Sequence, residues 1–346
     1  MKGEIGMKRI RVAVIWLVIF CGVMAGIHYF DHPEKKLYQS AVVFPVMSTR
    51  ASLTFTDANE DEIDQAFRLA RQEMEKVAGL CNYFDPGSEL SRLNASASKE
   101  PFVCSKELWE ILGEVRKFHR ISGGAFDPTI RPLMSVWGFH RKRKTLPTEE
   151  EISEAKKRCG FEHVIFNDEN HSVFFNCPGL SIDLGGIAKG WAVDKAAEAV
   201  LKYTSVRIGI IDLGGNMRCL PEPPPGKDRY TIAVRDPKNP DGICALVGIL
   251  NECVATSGNY ERYVTIQGRQ YTHIIHPVTG RPVEGVLSAT VVTPRGVDSD
   301  ALSTALFVNG KTFADKLSAD VRTLFISSDG SMTQRIPKGR DGFQIQ

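Results

Sequence analysis

The sequence predicts an α+β fold with largely antiparallel sheets and flanking helices. Helical periodicity dominates the chain up to residue 159, and short β-rich runs dominate from residue 164 onward. The two later helices, predicted at 188–203 and 299–309, do not alternate regularly with strands, as a parallel α/β sheet would require. The 346 residues, of which 42% are hydrophobic and 24% charged, suffice for a sizeable globular core.

The N-terminus has the pattern of an export signal or a membrane anchor. A positively charged start precedes an apolar stretch at 12–27, which predicts that the N-terminus stays inside and the rest is exported. Three outcomes stay open: a signal cleaved after Ala25, an uncleaved anchor, which we favour, or an atypical lipoprotein site at Cys21. We assign residues 1–30 to this leader, 31–45 to a tether and 46–346 to one folded domain.

Side-chain spacing predicts the elements of the folded part. Small and β-branched residues at 41–56 indicate an early strand, and a helix at 57–80 follows, with Asn59 or Asp61 as its cap. Two further helices are predicted at 105–121 and 148–159. The later strands are predicted at 172–176, 205–213, 230–235, 244–254, 263–266, 273–275, 288–293 and 322–327.

Composition and motif content exclude several classes of protein. A net charge of +2 and one basic run at 141–144, without interleaved aromatic residues, give no support to nucleic-acid binding. The sequence has no P-loop, no strict G-x-G-x-x-G fingerprint, no C-x-x-C pair and no G-x-S-x-G elbow. Seven cysteines follow the leader, so at least one is unpaired, and whether any two form a disulfide stays open.

A five-residue pattern, I-D-L-G-G, occurs at 182–186 and again at 211–215. Each copy ends an apolar run with an acid and two glycines, which let the backbone turn sharply and approach a ligand closely. After the first copy a helix begins near Lys189, and a helix N-terminus beside a lysine suits a phosphate. The alternative is that both copies are turns that close strands.

Asp300 and Thr304 lie four residues apart on a predicted helix and therefore share one face. A carboxylate and a hydroxyl, with carbonyl groups nearby, are oxygen ligands suited to Mg²⁺. The alternative is that Asp298 or Ser299 caps this helix and Thr304 packs in the core.

Two histidines, His273 and His276, lie on a predicted strand that runs into a turn rich in proline and glycine. Positions three apart on a strand face opposite ways, so these side chains are not expected to bind one metal. One of them is a candidate base and the other structural, although a lone histidine in a strand is more often structural and spacing alone does not favour a catalytic role for either.

Several glycine-containing segments also carry aromatic or hydroxyl side chains and suit the rim of a flat ligand. The alternative is that they are ordinary turns and core residues. These segments are 122–129, 137–139 and 254–263.

The order of the motifs is more specific than any one of them. The series resembles the ApbE family, the FAD:protein FMN transferases, over residues 41–329. Its blocks are S-E-L-S-R-L-N (88–94), G-G-A-F-D-P-T (123–129), W-G-F (137–139), I-D-L-G-G-I-A-K-G-W-A-V-D (182–194), I-D-L-G-G-N (211–216), A-T-S-G-N-Y-E-R (255–262), H-I-I-H-P-x-T-G-R-P (273–282) and D-A-L-S-T-A-L-F (300–307).

The resemblance implies an α+β fold with a flavin cleft between its parts. It implies Mg²⁺ as cofactor and FAD as substrate, with FMN attached through a phosphoester to a Thr or Ser of a target flavoprotein and AMP released. Such phosphoryl chemistry depends on positioning and charge neutralisation. The implied acceptors are subunits of Rnf- or Nqr-type membrane electron-transport complexes, and the implied location is the bacterial inner membrane with the domain facing the periplasm.

The resemblance also implies roles for particular residues. Side chains of Asp300 and Thr304, with carbonyl groups near Gly186 and Ser303, are the implied metal ligands, and His273 is the implied base for the acceptor hydroxyl. The implied cofactor-binding residues near phosphate are Gly185, Gly186 and Lys189, and those at the flavin or its ribityl chain are Asp212, Thr256 and Ser257. Phe84 is implied to stack against a ring of the cofactor. Asp127 is the last implied cofactor-binding residue, and it shares with Asp183 a supporting or structural role.

One position departs from the family pattern, which commonly reads H-I-I-D-P where this chain has His276. We expect the histidine to be tolerated there because it faces away from His273. Two other functions stay open: an FAD pyrophosphatase that releases FMN and AMP, and an exported FAD-binding protein without catalysis.

Overall fold

The computed structural model describes residues 36–140 and 143–346, so the predicted leader and part of the basic run lie outside the described residues. Within the described part, no helix is long and apolar enough to cross a membrane. Seven α-helices are described there. They are α1 (Glu60–Cys81), α2 (Glu89–Ser96), α3 (Lys106–Ile121), α4 (Arg131–Val136), α5 (Glu149–Lys156), α6 (Ala188–Tyr203) and α7 (Gly296–Asn309).

The strands are short, and most of them follow residue 164, as the sequence predicts. They are β1 (Tyr38–Val46), β2 (Thr49–Asp57), β3 (Phe102–Val103), β4 (Val164–Asn167), β5 (Ser172–Phe175), β6 (Ile208–Leu213), β7 (Asn216–Cys219), β8 (Tyr230–Asp236), β9 (Asn239–Ile249), β10 (Cys253–Gly258), β11 (Tyr263–Ile266), β12 (Arg269–Thr272), β13 (Ile275–His276), β14 (Arg281–Pro282), β15 (Val286–Thr293), β16 (Arg322–Ser327), β17 (Met332–Arg335) and β18 (Gln344–Ile345).

An eight-stranded sheet, in the order β1-β2-β6-β7-β10-β15-β16-β17, forms the centre of the molecule. Each neighbouring pair in it is antiparallel. Two three-stranded sheets, β18-β9-β8 and β3-β5-β4, and two hairpins, β11-β12 and β13-β14, lie around it. The predicted α+β class with antiparallel sheets is confirmed.

Helices α1, α6 and α7 pack against the central sheet and build the main core. Helix α7 is buried nearly all round, which is typical of a helix enclosed by other elements. It contacts α6, β10 and β15. Helices α6 and α7 touch backbone to backbone, because a Cβ on Gly190 would lie 2.1 Å from the carbonyl oxygen of Gly296. This contact brings the start of both helices together.

Two predicted strands each contain a turn that the residue pattern does not reveal. The run at 41–56 is two strands, β1 and β2, joined at Met47 and Ser48, whose φ angles of 51° and 57° lie in the left-handed region. The run at 244–254 is divided between β9 and β10, with Asn251 at a φ of 51°. Neither turn carries the Asn-Gly or Asp-Gly signal that usually marks such a turn.

The predicted tether at 31–45 extends too far toward the C-terminus. Its last part, from Tyr38, is strand β1, which pairs with β2 along its whole length. The composition at 41–56 already predicted a strand that overlaps the end of this tether, and the structure shows that the strand begins earlier, at Tyr38, as an edge strand whose side chains are mostly exposed.

All seven cysteines of the described residues are free thiols, so no disulfide forms among them. Burial raises the pKa of Cys81, Cys104 and Cys159 to about 12. These side chains serve as small apolar core residues.

Candidate active site

Helix α7 is capped by a residue from another helix. Both carboxylate oxygens of the buried Asp194, on α6, accept backbone N–H groups at the start of α7: Gly296 at 2.7 Å and Val297 at 2.9 Å. The alternative role of Asp298 or Ser299 as the cap is therefore wrong. Asp298 instead forms ion pairs with Lys117 at 3.2 Å and Arg295 at 3.6 Å.

Asp300, in the second turn of α7, is a buried carboxylate at the junction of the two helices. Its Oδ2 accepts the backbone N–H of Gly190 at 2.9 Å, and its Oδ1 lies 4.0 Å from Nζ of Lys189. With its amide oriented to satisfy both neighbours, Asn216 donates to Oδ1 at 3.0 Å and accepts from Lys189 at 2.5 Å. Burial raises the pKa of Asp300, and the charge of Lys189 opposes that shift.

The start of α6 was predicted as a phosphate cradle, but in this structure a carboxylate already lies against it. The N–H of Gly190 is directed at Asp300, and this hydrogen bond holds α6 and α7 together. The anion-binding capacity of this helix start is real, and a residue of the chain uses part of it. Lys189 is the cation beside Asp300, with its Nζ 4.0 Å from Oδ1.

Hydroxyl groups from β10 and α7 meet beside Asp300. The Oγ of Ser257 lies 2.9 Å from the Oγ of Ser303 and 3.4 Å from the Oγ1 of Thr304. The Oγ1 of Thr304 also lies 3.4 Å from the carbonyl oxygen of Asp300. Thr256 is not part of this cluster: it is the neighbour of Ser257 on a strand, so it faces the other way and pairs with Thr290 at 2.8 Å.

The first I-D-L-G-G copy places Gly186 against the same cluster. A Cβ at this position would lie 3.2 Å from the ring of Phe126 and 3.5 Å from the Oγ1 of Thr304. The backbone at Gly186 therefore lies close to α7, and a side chain here would contact Thr304 and crowd the ring of Phe126. The neighbouring Gly185 donates its N–H to Asp183 at 2.8 Å, which fixes the turn that leads into α6.

The second copy has a different role, because it closes the β6–β7 hairpin. Gly214 and Gly215 have φ angles of 59° and 86°, which favour glycine, and Gly215 donates its N–H to Asp212 at 2.9 Å. Burial raises the pKa of Asp212, and the positive charge of Lys189 opposes that rise. The turn also delivers Asn216 to the cluster.

His273 lies in a bend between β12 and β13, and not within a strand as predicted. Its Nδ1 lies 3.0 Å from the carbonyl oxygen of Arg262. A carbonyl only accepts, so Nδ1 carries the hydrogen and Nε2 is left as the basic nitrogen. Burial lowers the pKa of His273 to about 4, and the charges of Arg262 and Lys189 act in the same direction. The ring is therefore neutral at pH 7, as a base must be.

His276 begins the turn of the β13–β14 hairpin. Its Nδ1 accepts the backbone N–H of Val278 at 3.2 Å, and its carbonyl oxygen accepts the N–H of Gly280 at 2.8 Å. The side chain of an aspartate at the start of a turn likewise accepts the backbone N–H of the residue two positions later. The histidine thus supplies the hydrogen-bond acceptor that the Asp of the family pattern would provide. We predicted that the two histidines lie on opposite faces of one strand. In the structure His273 lies in a bend and only His276 is part of a strand, β13.

The other two predicted cofactor-binding residues lie apart from the hydroxyl cluster. Asp127 accepts the backbone N–H of Thr129 at 2.8 Å and its hydroxyl at 2.6 Å, and burial raises the pKa of Asp127. These contacts are those of a turn-forming residue. Phe84 is 71% exposed, and its ring lies against Tyr83 and His140.

Sequence reasoning missed three residues that shape this site: Asp194, Asn216 and Arg131. Asp194 closes the long helical motif, and Asn216 follows the second Gly-Gly, so both were inside segments already singled out. Arg131 directly precedes Pro132 at the start of α4, a short helix that the residue pattern did not predict.

The donor set is suited to Mg²⁺. It offers one buried carboxylate, Asp300, with the hydroxyls of Ser303 and Thr304 and the backbone near Gly186. Across the ranges the structure describes, no group of three or more His, Cys, Asp or Glu residues is arranged to hold a metal. Magnesium is commonly bound by one or two carboxylates together with substrate phosphates, so a single carboxylate among hydroxyls fits this ion.

The fold and the site together define an α+β enzyme whose polar cluster lies where two helices begin. The model of the ApbE family matches residues 47–325. The chain belongs to the ApbE family, as the order of its motifs predicts.

Relatives of this family share most of the chain. An FAD:protein FMN transferase of Vibrio cholerae is 32% identical over 86% of this chain and 88% of its own, and one of Treponema pallidum is 34% identical over 72% and 71%. Among solved structures, the ApbE protein of Thermotoga maritima is 30% identical with a TM-score of 0.79, covering 86% of this chain and 97% of its own. The flavin transferase ApbE of Vibrio cholerae is 27% identical with a TM-score of 0.76, covering 88% and 98%.

Proposed function

We propose that this chain is a Mg²⁺-dependent FAD:protein FMN transferase. It cleaves the pyrophosphate of FAD and attaches FMN through a phosphoester to a Thr or Ser of a target flavoprotein, with release of AMP. Family membership and relatives that carry this name support the proposal. The observation that carries it is the convergence of Asp300, Lys189 and the hydroxyls of Ser257, Ser303 and Thr304 at one point.

Each member of this cluster has a chemical task in the proposed reaction. Asp300 and Thr304, with Ser303 and the backbone near Gly186, would hold the metal. Bound there, magnesium would offset the negative charge of the pyrophosphate. Lys189 contributes a second positive charge 4.0 Å from Asp300, and Asn216 fixes the position of both side chains.

Ser257 belongs to this cluster, and Asp212 holds the turn that carries Asn216 into it, so both are the proposed contacts for the part of FAD next to its phosphates. Phe84 offers an exposed aromatic ring for a ring of the ligand. Gly185 and Gly186 let the backbone approach the cluster without a side chain in between.

His273 acts as the base for the acceptor hydroxyl. Its Nε2 takes the proton of a Thr or Ser hydroxyl as that oxygen attacks the phosphorus of the FMN half. The bond from this phosphorus to the bridging oxygen breaks, and AMP leaves with that oxygen. The ring suits this task because it is neutral at pH 7 and the Arg262 carbonyl fixes its tautomer.

We further propose that the domain works on the exported side of a bacterial inner membrane, held by the N-terminal segment. The positively charged start and the apolar stretch at 12–27 support this location. Subunits of Rnf- or Nqr-type electron-transport complexes are the proposed acceptors, as the family resemblance implies.

Covalent flavin transfer tests the proposal directly. The full chain is incubated with FAD, Mg²⁺ and a candidate acceptor domain, and the denatured proteins are inspected for flavin fluorescence beside an Asp300→Ala variant. A fluorescent acceptor band that disappears with EDTA and in the variant is the expected result. AMP and free FMN without a band would indicate the pyrophosphatase. Intact FAD that still binds to the chain would indicate a non-catalytic flavin-binding protein.

A further inference from the structure

Arg131 is a buried cation that lies against two aromatic rings, the half-buried Tyr83 and the exposed Phe84. It begins helix α4, and its side chain is 7% exposed. The guanidinium carbon lies 3.7 Å from the ring centre of Tyr83 and 4.7 Å from that of Phe84. A cation over an aromatic face is attracted to the ring electrons, and more strongly when it is shielded from water.

Packing in the core does not fix the Phe84 ring, because 71% of this residue is exposed. Its neighbours are the edge of Tyr83 at 5.6 Å, the ring of His140 at 6.0 Å and the Arg131 guanidinium. Of these three, only Arg131 is anchored by a strong polar contact of its own. The orientation of the exposed ring therefore depends on where that guanidinium is held.

The anchor of Arg131 also holds the turn in front of helix α6. Its Nη1 pairs with Oδ2 of Asp183 at 2.5 Å, and Oδ1 of the same carboxylate accepts the N–H of Gly185 at 2.8 Å. The Asp183 N–H donates to Pro128, so the backbone position of this carboxylate is fixed as well. A continuous set of contacts runs from the Phe84 ring through Arg131 and Asp183 to the Gly185 backbone.

We propose that Arg131 is a positioning residue that sets the Phe84 ring in register with the Gly185–Gly186 turn, so that a ring system and the central pyrophosphate of a flavin dinucleotide are bound at once. The Phe84 ring would hold one of the two aromatic ring systems, and the turn lies next to the cluster that would meet the pyrophosphate. This inference rests on the proposed function, because it takes FAD as the ligand. It assigns binding to Arg131 and leaves the bond-breaking step to the cluster around Asp300.

The test compares Arg131→Met and Arg131→Lys with a matched control elsewhere. Arg116 has the same two kinds of partner: its guanidinium lies 4.6 Å over Phe166 and pairs with Asp168 at 2.7 Å. FAD affinity is measured by quenching of flavin fluorescence, and KM and kcat by covalent transfer. We expect Arg131→Met to raise Kd and KM for FAD about tenfold, with kcat changed less than about twofold. Arg116→Met leaves both constants at the wild-type value.

A double-mutant cycle with Phe84→Ala separates positioning from general structural damage. If Arg131 acts through the Phe84 ring, Arg131→Met adds little further loss of affinity once that ring is absent. Arg131→Lys keeps the charge but loses the planar stack, so its FAD affinity should lie between those of the wild type and Arg131→Met. The Lys variant also replaces the Met variant in the cycle if the Met variant does not fold.

The outcomes distinguish this inference from the function on which it depends. A wild-type chain that binds FAD and transfers FMN, with Arg131 variants of unchanged FAD affinity, overturns the inference alone. Fully additive losses in the cycle, or a fall in kcat at unchanged KM, also overturn it. A wild-type chain that does not bind FAD overturns the proposed function, which is a separate result.

Discussion

Replacing Asp194 should weaken both the fold and the metal site, because this carboxylate caps the helix that carries Asp300. In Asp194→Ala the N–H groups of Gly296 and Val297 lose their acceptor in the buried interior. Each buried unpaired donor costs about 1–3 kcal/mol, so the two together cost about 2–6 kcal/mol. Burial raises the pKa of Asp194, so its charge is itself unfavourable in the native state, and we expect a net loss of about 3 kcal/mol.

The assay is urea unfolding of the purified domain, followed by the Mg²⁺ dependence of flavin transfer. Asn59→Ala is the matched control, because Asn59 caps the solvent-exposed start of α1 through the N–H of Asp61 at 2.9 Å. Loss of such a cap costs about 1 kcal/mol and leaves the metal requirement unchanged. In Asp194→Ala the Mg²⁺ concentration for half-maximal transfer should rise about tenfold, as for other residues that orient metal ligands.

The reasoning is refuted if Asp194→Ala is destabilised no more than Asn59→Ala. It is also refuted if the loss of stability leaves the Mg²⁺ requirement at the wild-type value, since α7 would then hold Asp300 in place without this cap. Asp194→Asn retains one acceptor oxygen and should fall between the wild type and the alanine variant in both measurements.

Four other predictions follow from the site. The lowered pKa of His273 means that its basic form persists down to about pH 4, so a pH–rate profile should show no fall in rate near pH 6.5. The substitution His273→Gln should lower the rate of transfer about 10²–10⁴-fold while FAD still binds. Asp300→Asn and Thr304→Ala should each raise the Mg²⁺ requirement of transfer in a metal titration, whereas equal dependence in wild type and variants would contradict their role as ligands. Gly190→Ala should destabilise the domain by about 3 kcal/mol in urea, because the new methyl group meets the carbonyl of α7 and the two helices must separate. His276→Asp should keep the rate of transfer within about twofold of wild type, and His276→Ala should lose about 1 kcal/mol of stability. A large loss of transfer in the Asp variant would show that this position does more than support its turn.

Periodicity located the longer helices, because apolar residues recur at helical spacing where a helix packs on the core, but it did not reveal the short helices α2 and α4 or show that α7 is buried nearly all round. The predicted helix at 188–203 has the bounds of α6, and the helix at 57–80 differs from α1 only at its ends. Strand boundaries were less accurate where a turn used residues without a turn signal, as at Met47 and Ser48. Local spacing reports which face of an element is apolar, but it does not report a turn that tertiary packing holds in place.

The candidate site was partly predictable for the same reason. Asp300 and Thr304 were found because four residues are one helical turn, and the two Gly-Gly turns because glycine marks a special backbone. The tertiary structure then separated residues that the sequence had grouped. Ser257 belongs to the hydroxyl cluster, whereas the hydroxyl of Thr256 pairs with that of Thr290 on the other face of the sheet. One step along a strand reverses the direction of a side chain, so neighbours in sequence need not share a site.

The sequence by itself determined the class of fold, the family and the residue types available for binding a metal and a phosphate. Only the tertiary structure decided which residue caps α7, which amide fixes Lys189, and which guanidinium lies beneath Phe84. The capping contact joins residues 102 positions apart, and no periodicity within a helix or strand extends that far. Local patterns record the burial of each element, whereas a site depends on which elements meet, and that is set by how all of them pack together.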